Sequence, residues 1–430
     1  MLEAGTAKVC ISPAAGARLA GFAARQDVCR GVHDDLYSRA LVLRSGTEAA
    51  AVVAVDVLAL PAGFVDRVRE NIARKTELRA DSVMIASTHT HAAPVTITTF
   101  FNPGEAVDGE YMESLAAAIE RSVETAWRDR FNASAGVGCS SIQGFGVNRR
   151  SPDGKPVDDE VGILRVDDDR GRTRAVLMNY ACHPTVLGPD NLLASGDFPA
   201  AAIERIEAVQ GSFALFVNGA EGDVSVGHSS ELSAIGVIAP GRTFERAAEL
   251  GTKLADTVLR GLPAIRTSNA PALKTASATV DLPLKRFPAG ELTLRELESA
   301  RQRLAAMDPS DEGYRQAKSD LLYASITNFY AAGGAPANGA LTIQLQGLRV
   351  GGTAFVAIPA ELFVELGLLI KRSAPQPTFL VGVANGYIGY LPDRPSYAAG
   401  GYEVVSAQVD ETAGERLIAG VLELERRLFA

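Results

Sequence analysis

Ser82-Val83-Met84-Ile85-Ala86-Ser87 runs straight into Thr88-His89-Thr90-His91. The first six residues are short, apolar and bounded by polar groups, which reads as a buried strand. Upstream, Ala62–Arg74 has the spacing of an amphipathic helix. Before it, Ala40–Arg44 and Ala49–Leu58 are apolar runs joined by a Ser45-Gly46 turn. That order of strands, helix and strand points to an α/β fold. The alternation continues with a helix at Glu110–Ala126 and strands at Val161–Val166 and Thr173–Tyr180. A helix at Pro199–Ala208, a strand at Phe213–Val217 and a helix at Phe244–Arg260 follow. Leu292–Met307 and Ser310–Ala331 form a predicted αα-hairpin, about residues 291–331, lying on the main body. Leu341–Val350 and Thr353–Ile358 pair through Gly351-Gly352. A helix at Glu361–Arg372, a strand at Thr378–Val383 and a final helix at Ala413–Leu428 complete the chain. The expectation is one large α/β domain over residues 1–430, with mixed sheets and flanking helices. No repeat of fixed period is visible.

Composition narrows the function. The 430 residues are 47% hydrophobic and 22% charged, a globular balance that excludes wholesale disorder. Asp and Glu number 51 against 42 Lys and Arg, giving a net charge of −9. A generic nucleic-acid or anionic-lipid surface is therefore not expected. Runs such as Ala49–Val55 stop far short of a membrane span. The opening residues lack a basic segment followed by an apolar one, so no signal peptide is expected. Cys10, Cys29, Cys139 and Cys182 are scattered, which suggests free thiols and a cytoplasmic location.

Five histidines are present: His33, His89, His91, His183 and His228. His89 and His91 leave one strand end two residues apart, and in extended chain they project to the same side. A metal or acid–base site requires such a pair; loop histidines bonded to backbone are the ordinary alternative. His183 follows another strand, in Cys182-His183-Pro184-Thr185, and read alone it is equally a satisfied buried histidine. Phe213–Val217 runs into Asn218-Gly219-Ala220-Glu221-Gly222-Asp223-Val224-Ser225, a tight turn or a pocket-lining loop with Ser225 as a substrate contact. Glu361 opens a predicted helix, where a carboxylate ordinarily favours the helix dipole. Asn385-Gly386-Tyr387-Ile388-Gly389-Tyr390, then Tyr397 and Tyr402-Glu403, form a Tyr-rich stretch that by itself suggests packing.

Taken in order, these segments resemble the catalytic domain of the neutral/alkaline non-lysosomal ceramidases. Gly21-Phe22-Ala23 and Gly31–Ala40 are similar to that family's opening segments. Thr88-His89-Thr90-His91 with Pro94 resembles its THTHSGP motif, and Asn148-Arg149-Arg150-Ser151-Pro152 its NRSP segment. His183-Pro184-Thr185 with Ala194-Ser195-Gly196-Asp197 resembles its second histidine motif. Glu221–Ser225 resembles its NxGDxSP loop, Pro359-Ala360-Glu361 its PGE motif, and Tyr390, Tyr397 and Tyr402-Glu403 its tyrosine segment.

The resemblance implies one catalytic zinc per chain, held by His89, His183, Glu361 and Tyr390, a donor set that zinc accepts. It implies that zinc activates water for attack on an amide carbonyl. It places His91 beside the metal for hydrogen bonding or proton transfer, and Tyr402 at the developing oxyanion. Arg149 would anchor a polar group of the substrate, with the inserted Arg150 one step away in register. Ser225 matches a serine of the family's loop, without a histidine beside it in a triad arrangement.

The chain departs from the pattern at Ala92-Ala93-Pro94-Val95, which lack the motif's glycines, and at Val226, where the family has proline. The family's C-terminal β-sandwich is also missing from the expected layout. No basic amphipathic helix suited to a lipid surface is visible. The expected substrate is a small-molecule amide or N-acyl compound, ceramide or a smaller soluble one. An ester or lactone substrate and a non-catalytic metal-binding relative are the alternatives.

Overall fold

In the computed structural model, residues 1–100, 107–151, 154–333 and 339–430 are described; Pro152 of the Asn148–Pro152 segment lies outside them. Leu2–Cys10, Tyr37–Ser45 and Glu48–Val55 form an antiparallel meander. The helix Ala62–Lys75 then crosses over, and Val83–Ser87 returns parallel to Glu48–Val55. A parallel return needs such a crossover, because a tight turn can join only antiparallel neighbours. The helix Gly109–Arg128, capped by Asp108, packs beside the crossover helix.

The same order of elements is built twice more. Phe131–Ser141, Glu160–Asp168 and Thr173–Tyr180 form the second meander, Asp197–Gln210 its crossover and Phe213–Asn218 its parallel return. Phe244–Gly261 is the helix that closes this unit. Leu273–Pro283, Ala340–Val350 and Thr353–Ala357 form the third meander, Val364–Ser373 its crossover and Thr378–Val381 its return. Ala413–Phe429 closes the third unit. The repeat lives in topology rather than in residue identity, which is why no sequence period announces it.

Units one and two fuse into an eight-stranded sheet where Leu2–Cys10 pairs with Phe131–Ser141. The third unit makes a four-stranded sheet, and the two sheets bury their inner faces against each other. Leu41, Val52, Leu164 and Leu177 meet Leu348, Phe355 and Phe379 there. Helices cover both outer faces through Val65, Ile72 and Ile119 on unit one, Ile203 and Leu254 on unit two, and Leu366, Leu417 and Leu424 on unit three. The result is a mixed α/β fold in four layers, helix, sheet, sheet, helix.

Three strands are not legible in the sequence: Leu2–Cys10, Phe131–Ser141 and Leu273–Pro283, each opening a unit. They are built largely of small or polar residues because other chain packs close upon them. A Cβ at Gly5 would lie 1.9 Å from the Ala126 carbonyl oxygen, and one at Gly136 would lie 2.1 Å from that of Arg266. The expected helix at Glu361–Arg372 is also corrected. Glu361–Leu362 is a two-residue strand parallel to Tyr390–Leu391, and the helix begins only at Val364.

The predicted αα-hairpin is present as Gly290–Ala305 and Tyr314–Gly333. It is an insertion at the tip of the third unit's first β-hairpin, whose last paired residues are Pro283 and Ala340. The four cysteines are free thiols. Among the described residues no helix is long and apolar enough to cross a membrane.

Candidate metal centre

In α/β sheets, ligands gather beyond the carboxyl ends of the strands, and all three units contribute such ends here. The first unit supplies His89 and His91, just after Val83–Ser87. The second supplies His183 after Thr173–Tyr180 and Glu221 to Ser225 after Phe213–Asn218. The third supplies Glu361 after Thr353–Ala357 and Tyr387 and Tyr390 after Thr378–Val381.

His89 does not continue the strand. Its φ is 68°, a left-handed conformation that costs a non-glycine residue energy and therefore marks a position the surroundings over-determine. Its backbone N–H donates to Val57 and its ring to Leu58, which fixes the turn. The two imidazoles thus converge through a bend rather than through strand alternation.

Each ring turns Nδ1 to a backbone carbonyl. His89 donates to Leu58 O at 2.8 Å, His91 to Gly21 O at 3.0 Å and His183 to Glu221 O at 2.7 Å. A carbonyl can only accept, so the ring proton sits on Nδ1 and each Nε2 carries a lone pair. Yet Nε2 of His89 and His91 are 3.4 Å apart, and His183 Nε2 is 2.9 Å from Glu361 Oε2. The same carboxylate oxygen is 3.6 Å from His89 Nε2. Acceptors facing acceptors at these distances require a shared cation or proton. The ligand atoms of His89, His91 and His183 all lie within 4.8 Å of one another. Imidazoles oriented by outer hydrogen bonds beside a buried carboxylate fit a divalent metal of the zinc type, with His89 and His183 nearest Glu361 and His91 adjoining them.

Electrostatics agree. Burial, reinforced by Arg149, pushes His183 down to about 4. Burial and the neighbouring imidazoles of His89 and His183 hold His91 well below its usual value. Both rings are therefore neutral at physiological pH, the state that binds a metal. Burial alone would raise Glu361, but positive charge or a proton shared with His89 and His183 outweighs it and keeps the carboxyl well below the usual range.

The strand register sets Glu361 directly opposite Tyr390. The Tyr390 hydroxyl accepts from Arg149 Nη2 at 3.1 Å. Arg149 also donates to Gly222 O and to Glu403 Oε1, both at 2.9 Å. Arg150 pairs with the other Glu403 oxygen at 2.9 Å. Arg149 lines the cavity in front of the cluster, whereas Arg150 is not among its lining residues. Tyr402, buried on the short helix Tyr402–Val405, lines the same cavity, its ring 6.1 Å from that of Tyr390. Burial, with Glu361 adding, holds both phenols protonated, so Tyr402 keeps an O–H to donate.

Ser225 is the exception among the expected site residues. It pairs with Val147 in a two-residue ladder, is fully buried, and donates to His228 O at 3.0 Å. It forms no part of the cavity wall, because that pairing turns it inward. Sequence reasoning missed Tyr387, whose hydroxyl donates to Glu361 Oε1. Its place in the Asn385–Tyr390 segment was visible, but nothing in the spacing separates it from Tyr390.

The cavity above the cluster holds about 130 Å³. Ile97, Phe100, Phe329 and Tyr330 line it, as do Ser229, Ser230, Ser233 and Arg242. The family profile described as "Neutral/alkaline non-lysosomal ceramidase, N-terminal" matches residues 3–227, more than half of the chain. The chain belongs to this family. A curated neutral ceramidase from Mycobacterium tuberculosis is 25% identical over 470 aligned positions, covering 91% of this chain and 71% of the relative. The crystal structure of the neutral ceramidase from Pseudomonas aeruginosa superposes with a TM-score of 0.77 at 18% identity, covering 99% of this chain and 75% of that one. A ceramidase described as complexed with C2 gives 0.75, also at 18% identity and with the same coverage. The four-layer fold is thus the ceramidase fold, and the chain is a ceramidase-family hydrolase.

Proposed function

We propose that this protein is a zinc-dependent hydrolase of a carbon–nitrogen amide bond in an N-acyl substrate. One observation carries the reading: imidazole lone pairs and a buried carboxylate converge at the cavity floor, each imidazole locked by a backbone carbonyl. His89, His183 and Glu361 would hold the ion, with Tyr390 alongside. Bound zinc lowers the pKa of water from 15.7 toward about 7 and polarises a carbonyl. His91 Nε2, kept unprotonated, accepts a proton from the water that adds to the amide carbon. As the C–N bond breaks, that proton passes to the departing amine nitrogen. Tyr402 donates its hydroxyl to the carbonyl oxygen as charge develops there, a contribution of about 3–4 kcal/mol for such donors. Arg149, clamped by Glu403, orients the polar part of the substrate.

Metal analysis tests the proposal. The purified protein is expected to carry about one zinc per chain, and a chelator is expected to remove both zinc and hydrolysis of N-acyl amides. His183→Ala is expected to lose most of the zinc, since the buried carboxylate then faces one ligand fewer. Stoichiometric zinc with normal turnover in that variant would reject the ligand assignment.

A further inference from the structure

The two arginines in the cavity wall differ in one respect. Arg149 has its guanidinium paired with Glu403, a carboxylate it shares with Arg150. Arg242 donates through Nη2 to Ser233 Oγ at 2.6 Å, but its Nε and Nη1 are buried without a hydrogen-bond partner. Buried guanidinium N–H groups left unpaired cost free energy that a ligand can recover. The carboxylates nearest in effect are Asp190, which is exposed, and Asp197. Asp197 already accepts from the backbone N–H groups of Leu187 and Phe198. His228, on the same wall, is held neutral, pushed down to about 4 by burial with Arg242 adding.

Arg242 also sits at a defined remove from the metal cluster. Its guanidinium lies 5.5 Å from the Phe22 ring centroid, and that ring lies 5.0 Å from the imidazole of His91. Phe22 thus lies near both the guanidinium and the imidazole of His91. Phe329 and Tyr330 of the inserted hairpin line the same cavity.

We propose that Arg242 binds a carboxylate on the amine portion of the substrate, so that the preferred substrates are N-acyl amino acids rather than neutral N-acyl amines. The acyl chain lies against Phe329 and Tyr330, the amide lies at the imidazoles, and the carboxylate reaches Arg242. This rests on the amide-hydrolase reading above and adds a substrate class to it. A charged carboxylate meeting a guanidinium forms the strong, geometrically selective kind of hydrogen bond.

The test compares N-hexanoylglycine with its neutral isostere N-hexanoylpropylamine, following hexanoate release by the zinc-loaded protein. The acid is expected to show kcat/KM at least about 10-fold higher, the gain typical of a hydrogen bond to a charged group. Arg242→Met should close that gap and Arg242→Lys should retain part of it, with zinc content confirming that both variants fold. If neither compound is hydrolysed, the amide-hydrolase reading fails for this class, and calorimetric binding of the same pair still tests Arg242. Equal treatment of the two compounds by the wild type overturns the proposal. So does an undiminished preference in Arg242→Met, which would place the carboxylate on the metal instead.

Discussion

Tyr387 shows how one hydroxyl can serve the candidate metal centre from outside it. It donates to Glu361 Oε1 while Oε2 faces His183 and His89. Outer hydrogen bonds of this kind fix a ligand's orientation, and losing one typically costs about 10- to 100-fold in metal affinity. Tyr387→Phe is therefore expected to weaken zinc binding by about that factor in a chelator competition, with unfolding only slightly changed. An unchanged affinity would remove Tyr387 from the centre. Asp56 illustrates a different residue-scale effect. It is buried beside the histidine loop and accepts from the Tyr37 N–H at 2.8 Å. Burial, only partly opposed by Arg39, pushes its carboxyl up to about 6. The folded protein thus holds this proton more tightly than the unfolded chain, so stability from this group is present at low pH and is lost as pH rises from about 4 through about 6. Asp56→Asn keeps an acceptor for Tyr37 but cannot ionise. Urea unfolding at pH 4, 5, 6 and 7 should show the variant gaining on the wild type across that window, by about 3 kcal/mol at neutral pH. A difference independent of pH would contradict the assignment.

At the scale of elements, short strands and tight loops lock the centre more than the long strands do. Glu361–Leu362 is only two residues long, yet it pairs with Tyr390–Leu391 and receives the Gly222 N–H on Leu362 O at 2.8 Å. Asp223 accepts from Val364 N at 2.8 Å and from Asn148 Nδ2 at 2.7 Å, which joins the loops of the second unit to the crossover helix of the third. Gly222 is needed here for close approach, since a Cβ would lie 2.5 Å from the Glu361 carbonyl oxygen. Gly222→Ala must displace the strand that carries Glu361. The expected cost is about 3 kcal/mol of unfolding free energy, the upper part of the range for overpacking, together with weakened zinc binding. A variant with wild-type stability and zinc affinity would show that the strand can shift freely.

At the scale of the whole molecule, the same topological unit is used three times, and the centre forms where the strand ends of all three meet. The helical insertion is separable from this plan. Pro283 pairs with Ala340, and Leu284 N donates to Gly339 O at 2.9 Å, so the β-hairpin is already closed beneath the inserted helices. Replacing residues 286–338 by an Asn-Gly turn should leave a folded protein that binds zinc, because His89, His183 and Glu361 come from other elements. The KM for a long-chain N-acyl substrate should then rise by about 10-fold relative to a short-chain one, as the wall containing Phe329 and Tyr330 is lost. Loss of zinc in that variant would mean that the insertion supports the centre. Sequence alone determined the local matters. Apolar periodicity marked most strands and helices, because burial on one face imposes a period that each segment carries within itself. The rarity of histidine and its position after strands singled out His89, His91 and His183, and the ordered motifs pointed to Glu361 and Tyr390. Tertiary structure alone decided which strand ends are neighbours, as for His183 and Glu361, 178 residues apart. It alone placed Glu361 on a strand opposite Tyr390, set Arg149 rather than Arg150 at the cavity, and turned Ser225 inward. Those outcomes depend on pairings between distant segments, whose register and packing no single stretch of chain encodes.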